Sequence, residues 1–513
     1  MVLRISVRHL AAVCFLHMVS FTLFIAAASA DPAIPSNLGD ESAGVFQERI
    51  VEEQEASLEE LTEFPEVEHE PREGEPKDEI QFHVSTIQLE GNTLYSQEEF
   101  QEMIEAYQEQ DVTLSSLYEL AQKIEAEYRS RGYITTYVYI PLQTVEGGLV
   151  TLHVIEGKVA SMTVEDNDYF SDDLILKRAG LPQGEVLQYQ KLQQSLRAIN
   201  RNPDLEVRMI LSAGEDAETT DVIFKAEDRN PMHVGALIDN TGNNFTSKER
   251  YGVFWRHNNL LGLSDIFLSG ITMSKDIAVL FGQYMLPLNH SDLKLIMGAS
   301  GAQASPKKEL QEFGVNSTSD SYFVRLQNTY PMNNDNFMDF RIGFEAKHAT
   351  TKLFSQDFTD EQLRNVRLGP EFIWLHEGGH TRWNNDFVVG LDILNAQVTY
   401  ASGNSRQGVS PDYFIYHTRL IRNQKVRMFD VGMRYRIEAH LQLANDGLPS
   451  QESLYLGGQR SIRGYPEGDF LADEGVYYNY EHFIPLLFIP EHIKMPYSKK
   501  RVIQIHRLRI IHQ

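Results

Sequence analysis

The pattern in this sequence that comes nearest to a catalytic motif is His376-Glu377-Gly378-Gly379-His380. It matches H-E-x-x-H, in which a helix brings two histidines to one face to bind zinc. Two adjacent glycines would cost such a helix about 2 kcal/mol relative to alanine. The flanking residues, 372–375 and 383–391, read as strands. We therefore interpret Gly378-Gly379 as a hairpin turn and keep a soluble metalloprotease as the enzyme alternative.

The sequence contains few other residue patterns that could support catalysis or bind a cofactor. We find neither a nucleophile–histidine–acid arrangement nor a phosphate-cradling glycine loop, and we expect no cofactor, no metal and no enzymatic activity. The acidic run before residue 80 could bind calcium, but we favour a solvated tether. The formal charge of −26 argues against nucleic acid as a partner, because its phosphates would be repelled.

A regular alternation of apolar and polar residues dominates the C-terminal half. It is longest in residues 427–443, where positions 429 to 443 of odd number are apolar and those of even number are polar or small. Fifteen alternating residues predict a single strand. Soluble sheets usually have strands of about five or six residues, whereas a tilted membrane strand needs about nine to eleven. We expect twelve or thirteen such strands beyond Pro231.

The alternation alone does not tell which face meets lipid. Aromatic residues near strand ends, such as Tyr413, Tyr416, Tyr478 and Tyr480, are typical of barrels in membranes. No stretch after the N-terminus has the ~18 consecutive apolar residues of a spanning helix. A strand protein in lipid must then be a closed barrel, because lipid leaves open sheet edges unsatisfied. We therefore predict an antiparallel transmembrane β-barrel, over residues 230–513, with apolar side chains outside.

The N-terminus reads as a secretory signal over residues 1–30. Arg4 and Arg8 precede an apolar stretch, and Ala28-Ser29-Ala30 fits a cleavage site, so the mature chain would begin at Asp31. The one cysteine of the chain, Cys14, lies within this signal. Disulfide frameworks and cysteine metal sites are therefore not expected.

Between the signal and the barrel the sequence predicts a linker and two α+β modules. Residues 31–79 hold seventeen Asp or Glu against three Lys or Arg, which favours a solvated, poorly ordered acidic linker. Residues 80–157 then read as strand, helix, helix, strand, strand, with a capping box at Ser96 and Glu99. Residues 158–229 repeat the order in a shorter form. Exposed sheet edges of such modules can accept another chain as an added strand.

The loop predicted over residues 444–474 carries a second group of interest, Leu456-Gly457-Gly458-Gln459-Arg460-Ser461-Ile462-Arg463-Gly464-Tyr465. Gly464 allows a tight bend, and Arg463 would place a permanent cation in a polar lumen. That cation needs a carboxylate or a carbonyl as partner, since an unpaired charge is costly. We expect the ring of Tyr465 to pack on the barrel wall.

With this loop, the chain resembles the outer-membrane transporters of two-partner secretion, which export haemolysins and filamentous adhesins and are related to outer-membrane-protein insertases. The resemblance covers residue 81 to about residue 486. It implies two periplasmic polypeptide-transport-associated (POTRA) domains and a sixteen-stranded barrel. It also implies a pore-folding loop with the motif Ile462, Arg463, Gly464 and Tyr465, supported by Gly457, Gly458, Asp473 and Gly475.

The chain departs from this family in two ways. The family's loop arginine pairs with an aspartate on a later strand, yet no aspartate follows Asp473. Residues 494–513 hold six Lys or Arg and no acid, and alternate poorly. We expect a truncated or frame-shifted end, with the barrel incomplete.

The resemblance implies a monomeric transporter in the Gram-negative outer membrane, in contact with its lipid. Its client would be a large exoprotein of haemolysin, adhesin or haem-binding type, which docks by β-augmentation on the two POTRA-type domains. The alternative is an insertase that assembles other outer-membrane β-barrel proteins. A passive solute porin would leave the paired modules unexplained.

Overall fold

The computed structural model describes residues 66–67, 81–485 and 507–512, apart from 217, 241, 243–246, 289–291, 307, 334–335, 401–408, 429–430, 459–460 and 467. The predicted signal peptide and nearly all of the acidic linker lie outside the described residues. Two linker residues, Glu66–Val67, form strand β1. Within the described ranges, no helix is both long and apolar enough to cross a membrane.

Residues 80–157, here called module 1, pack two helices on a small sheet. The helix face of Leu117, Leu120 and Ile124 is fully buried, because its residues recur at the spacing of one helical face. Three strands form the sheet in the order β3-β6-β5. The elements are β2 (Gln81–Val84), β3 (Thr86–Glu90), a 3₁₀ turn (Gln97–Phe100), α1 (Gln101–Glu105), β4 (Gln110–Thr113), α2 (Leu114–Ser130), β5 (Thr136–Tyr139) and β6 (Leu149–Glu156).

A buried carboxylate ties the parts of module 1 together. Glu156, at the end of β6, accepts hydrogen bonds from the backbone N–H groups of Thr93 and Leu94, both at 3.0 Å. The Tyr128 hydroxyl of α2 donates to the same carboxylate at 2.9 Å. Burial, together with Glu156, raises the pKa of Tyr128 far above its usual range, so the hydroxyl remains a donor.

Residues 158–229, here called module 2, repeat the predicted order in a four-stranded sheet, β1-β8-β9-β7, with the linker strand at one edge. Its core contains Ile175, Leu192 and Phe224, all fully buried. The elements are β7 (Lys158–Glu165), α3 (Asp172–Ala179), α4 (Tyr189–Ile199), β8 (Leu205–Ala213) and β9 (Thr219–Asp228).

A single large antiparallel sheet follows. Among the described residues, thirteen strands pair in the order of the chain. Twelve of them lie before residue 486, in agreement with the twelve or thirteen predicted from the alternation. The thirteenth (Arg507–His512) lies in the poorly alternating tail, where no strand was predicted. β19 stands outside that order and pairs with β17. The strands after module 2 are β10 (Met232–Asp239), β11 (Arg250–His257), β12 (Ile266–Met273), β13 (Ile277–Pro287), β14 (Leu293–Ala304), β15 (Asn316–Pro331), β16 (Asn336–Leu353), β17 (Gln356–His376), β18 (Gly379–Gly390), β19 (Gln397–Tyr400), β20 (Phe414–Met428), β21 (Val431–Ala444), β22 (Leu454–Leu456), β23 (Phe470–Ala472), β24 (Gly475–Pro485) and β25 (Arg507–His512), of which β22 and β23 pair only with each other.

The faces of the large sheet are arranged inside out. Along β16, Phe340, Ile342 and Phe344 are 38%, 47% and 37% exposed on the outer surface. The side chains of the other parity, including Arg341 and Glu345, point to the other face and form ion pairs there. This is the distribution that a strand needs when lipid lies on one side and a polar interior on the other.

The junction between module 2 and the large sheet is polar and buried. Asn202 donates a hydrogen bond to the Ser264 hydroxyl at 3.0 Å and another to the backbone oxygen of Asn258. The Asp204 carboxylate lies 2.6 Å from both His233 Nε2 and Asn258 Nδ2. Asn202 and Asp204 lie in the turn before β8, whereas His233, Asn258 and Ser264 belong to the first strands of the large sheet and their connections. These hydrogen bonds therefore hold module 2 against the beginning of the large sheet.

Several sequence predictions need correction at the level of single elements. The strand predicted over residues 427–443 begins only at Val431, because Met428 ends β20 and pairs with Val431 across a hairpin. The one turn-favouring residue between Met428 and Val431 is Asp430, which also fits the polar positions of the alternation and therefore did not mark a turn. In module 1, Ser96 precedes the 3₁₀ turn but makes no side-chain capping bond, so the predicted capping box is wrong. The short strands β1 and β4 were not predicted.

A charge on the outer face tests the inside-out arrangement. We expect Ile342→Arg to lower the fraction of chain that assembles in the outer membrane, because a lipid-facing arginine costs about 2–4 kcal/mol near the bilayer centre. Ile342→Leu is the matched control and should assemble normally. Heat-dependent mobility of membrane extracts on gels measures the folded fraction. Equal folded fractions for the two variants would contradict a lipid-facing Ile342.

Candidate functional site

The candidate site is the loop between β21 and β24, residues 445–474, here called the pore loop. It contains two parts that contact the sheet: the loop root (residues 448–453) and the loop tip (residues 457–466). Leu448 is fully buried and packs with Leu363, Val388 and Ile415 of three neighbouring strands. β22, between root and tip, pairs with β23, which follows the tip. The loop therefore folds back against the inner wall.

The strand after the loop presents a polar face to the same interior. On β24, Asn479 and Glu481 are 3% and 3% exposed, whereas Val476 and Tyr478, on the other parity, are 45% and 53% exposed. Since successive side chains of a strand point to opposite faces, Asn479 and Glu481 line the interior. The alternation of β24 thus places a carboxylate next to the path of the loop tip.

Two glycines shape the tip. Gly457 has a φ of +115°, and a Cβ on it would lie 2.2 Å from the Pro466 carbonyl oxygen, so a side chain there is excluded. Gly464 has a φ of +100°, a conformation that L-residues rarely adopt. Ser461 closes the turn by accepting from Gly457 N–H at 2.8 Å and donating to Gly457 O at 2.9 Å. The tip is therefore a compact, internally bonded turn.

The tip contacts the wall through an ion pair. Arg463 Nη2 lies 2.5 Å from Glu481 Oε1, and the two side chains are 21% and 4% exposed. Glu481 lies opposite Arg436 on β21, well inside the sheet rather than at its rim. An arginine–carboxylate pair in such a place is charge-assisted and shielded from water, which makes it stronger than a surface pair. Glu481 thus occupies the role that the resemblance assigned to an aspartate.

The other residues predicted for the loop motif contact the loop itself. Ile462 is half-buried beside Arg463. The Gly458 N–H donates to the backbone oxygen of Tyr465 at 3.0 Å. The Tyr465 ring packs edge-on against Phe470 with centroids 5.4 Å apart and is 52% exposed. We had expected this ring to pack on the barrel wall. It packs on β23 instead, because β23 of the same loop lies nearer.

Two of the four residues predicted to support the loop, Asp473 and Gly475, lie where the loop returns to the sheet. The backbone oxygen of Asp473 accepts a hydrogen bond from the Gln442 amide of β21 at 3.0 Å. Gly475 begins β24, and a Cβ on it would lie 2.8 Å from Leu454 Cδ2. Both residues therefore lie where the loop returns to the sheet.

The sequence prediction missed three acidic residues that hold the loop. Glu481 was overlooked because only an aspartate was sought after residue 473, although its place on the polar parity of β24 was visible. Glu361 and Glu452 lie about ninety positions apart in the chain, and the loop segment around Glu452 showed no alternation that could indicate burial.

The zinc-motif alternative fails on geometry. β17 and β18 form a hairpin in which His376 pairs with Gly379, so the predicted turn is confirmed. His376 Nε2 lies 3.0 Å from the Thr381 hydroxyl, whereas His380 Nε2 lies 3.1 Å from the Asn423 amide. The two imidazoles thus have different partners. Within the part of the chain that the structure describes, no group of three or more side chains could hold a metal ion.

Two α+β modules, a large sheet with an apolar outside, and a loop held to its inner wall define an outer-membrane polypeptide transporter. The chain belongs to the haemolysin secretion/activation protein family ShlB/FhaC/HecB, whose model matches residues 218–493. A ShlB-type POTRA domain matches residues 82–157. The chain is therefore a two-partner secretion transporter, with its barrel in the outer membrane and its POTRA region in the periplasm.

Known relatives agree with this assignment. The chain is 23% identical over 436 residues to the heme/hemopexin transporter protein HuxB of Haemophilus influenzae, an alignment that covers 80% of this chain and 74% of HuxB. It is 22% identical to the outer membrane transporter CdiB of Dickeya dadantii, covering 78% and 72%. The solved structure of CdiB from Escherichia coli has the same fold, with a TM-score of 0.67, 21% identity and coverage of 90% and 86%.

Removing the carboxylate of Glu481 tests the tip contact. We expect Glu481→Gln to speed trypsin cleavage after Arg460 or Arg463, because removing one partner of a buried charge pair costs about 2–5 kcal/mol and weakens the contact of the tip with the wall. Digestion of the purified protein in detergent, followed on gels, measures this rate. Glu474→Gln is the control, since Glu474 is exposed and accepts only the Ala444 N–H at 3.0 Å. Identical cleavage of Glu481→Gln and the parent would contradict the contact.

Proposed function

We propose that this transporter receives an unfolded exoprotein as an added strand on module 2 and passes it outward through the barrel, past the pore loop. The transporter acts as a monomer, its outer face contacts lipid, and residues 80–157 and 158–229 act as two POTRA-type domains. One observation carries the docking step. Glu66–Val67 pairs in parallel with Ile210 and Leu211 on the outer edge of β8. This edge thus accepts an extended chain.

Module 1 is a poorer docking surface, because side chains cap both edges of its three-stranded sheet. On β5, the Val138 N–H donates to the buried carboxylate of Glu125 at 2.9 Å. On β3, the Gln97 amide accepts from Leu89 N–H at 3.0 Å and donates to Ile87 O at 3.1 Å. An incoming strand would have to displace these groups, since natural edges are protected in this way against unwanted pairing.

The two edge strands of module 2, β7 and β8, differ in how far other hydrogen bonds already cover them. At β7, Val159 already exchanges backbone hydrogen bonds with Gly184 and Glu185, at 2.8 and 3.0 Å. Its ladder with β9 also shifts register between Val159 and Met162, and such irregularities disfavour pairing. At β8, the Asn200 side chain caps only Val207, at 2.8 and 3.0 Å. The remaining half of β8 is the part that pairs with β1.

The client is a large exoprotein of haemolysin, adhesin or haem-binding type. HuxB is named as a heme/hemopexin transporter, which supports a client of the haem-binding type, and CdiB is named as an outer membrane transporter. The Arg463–Glu481 pair would keep the pore loop across the route of the client until the client arrives. Folding of the client outside the cell would then draw it through the barrel.

Photo-cross-linking tests the docking edge. A photoreactive amino acid in place of Ser212, on β8, should cross-link to the secretion domain of a co-produced candidate exoprotein. The same amino acid in place of Thr163, on β7, is the matched control and should give little product. Immunoblots of irradiated cells detect the adduct. Stronger cross-linking from Thr163 than from Ser212 would refute docking at β8.

Deletion of residues 81–228 tests the need for the modules. We expect the barrel to assemble but export of the exoprotein to fall to background, because no sheet edge remains to capture the client. The exoprotein in the culture medium is the measured quantity, and heat-dependent mobility of the barrel is the control. Unchanged export by an assembled, deleted transporter would contradict the docking step.

A further inference from the structure

The loop root contacts the wall separately from the loop tip. Its 3₁₀ turn, Ser450–Glu452, consists of three polar residues that are 8%, 6% and 4% exposed. Polar groups buried to this degree need hydrogen-bond partners. The inner faces of β16 and β17 supply them. The root therefore lies on strands other than β24, which binds the tip.

The first of these partners is Glu361 of β17, which is fully buried. Its Oε1 accepts from the Ser450 N–H at 3.0 Å and from the Ser450 hydroxyl at 2.7 Å. Its Oε2 accepts from the Gln451 N–H at 3.2 Å. A carboxylate at the start of a turn satisfies N–H groups that have no partner inside the turn. Glu361 thus binds the backbone of the root and holds its direction.

The second contact is ionic. The Glu452 carboxylate lies 2.9 Å from Lys347 Nζ of β16 and 2.8 Å from Arg367 Nη2 of β17. Asn365 Nδ2 donates to the same carboxylate at 2.9 Å. Arg367 also pairs with Glu345, at 2.6 Å. Without Glu452, Lys347 and Arg367 would share the carboxylate of Glu345. The loop itself supplies the charge that balances this part of the wall.

We propose that Glu452 is a positioning residue that anchors the pore loop to the wall at its root, independently of the Arg463–Glu481 pair. The proposal rests on the proposed function of the loop as a barrier in the export path. With the root anchored on β16 and β17, release of the tip frees the distal part of the loop, while the proximal part stays in the lumen. The root is then the hinge and Arg463 the detachable end.

Glu452→Gln is the direct test, and Glu371→Gln is the matched control. Glu371 is a buried acid of the same strand as Glu361, but it pairs with the wall arginines Arg341 and Arg382. We expect Glu452→Gln to speed trypsin cleavage within the loop at least about tenfold, because breaking one partner of a buried ion pair is costly. Its conductance in planar bilayers should also rise. Glu371→Gln should leave both quantities unchanged.

A cross-link distinguishes anchoring from general stability. In the pair Asn365→Cys and Glu452→Cys, the loop should be cleaved quickly and conduct strongly, as in Glu452→Gln. Treatment with a short bifunctional thiol reagent should restore slow cleavage and low conductance, and reduction should reverse the rescue. A loss of general stability would not be rescued by one tether. The one natural cysteine, Cys14, lies in the predicted signal peptide and leaves the mature chain without competing thiols.

The proposal is overturned if Glu452→Gln behaves like the parent, if Glu371→Gln loosens the loop equally, or if the tether fails to restore protection. Should Glu452→Gln not assemble, Glu361→Gln carries the test, with accelerated cleavage expected and unchanged cleavage against the proposal. Both readouts are made without a client. A failure of the export proposal therefore cannot be mistaken for a failure of the anchor.

Discussion

The need to separate charge from lipid underlies this structure. Strand β16 shows it most simply, with Phe340, Ile342 and Phe344 outside and with Arg341 and Glu345 paired inside. Because these charges cannot face hydrocarbon, they line an interior where each needs a partner. That interior offers binding sites to any polar segment that enters it. The pore loop uses this property at both ends, with a cation at its tip and an acid at its root.

Sequence reasoning recovered what depends on local pattern. Period-two alternation predicted the strands of the large sheet, helical spacing predicted α2, and Gly378-Gly379 predicted a hairpin, because each of these signals is read within a few residues. It failed where contacts join distant positions. The alternation assigns Glu481 to a face but does not tell that Arg463 reaches it. It likewise says nothing of the contact between Glu452 and Arg367, which are 85 positions apart. The hairpin before Val431 was missed because Asp430, the turn-favouring residue in that stretch, also fits the polar positions of the alternation.

The two modules differ in how their sheets end, although their elements follow the same order. In module 1, Glu125 and Gln97 cover the edges with side chains. In module 2, Asn200 covers only the first half of β8, and β1 pairs with the second. Repetition of a fold thus does not imply repetition of its binding capacity. Whether an edge is available depends on single side chains, which no comparison of element order would reveal.

The polar junction at Asp204 has a geometric consequence. β8 begins at Leu205, directly after the residue that is bonded to His233 and Asn258 at the base of the sheet. The half of β8 that pairs with β1, around Ile210, therefore lies about six extended residues away, or roughly 20 Å at the rise of a strand. A client docked there, as we propose, would be held at a constant distance from the base of the sheet. Module 2 would then set the length of client chain between the docking edge and the barrel.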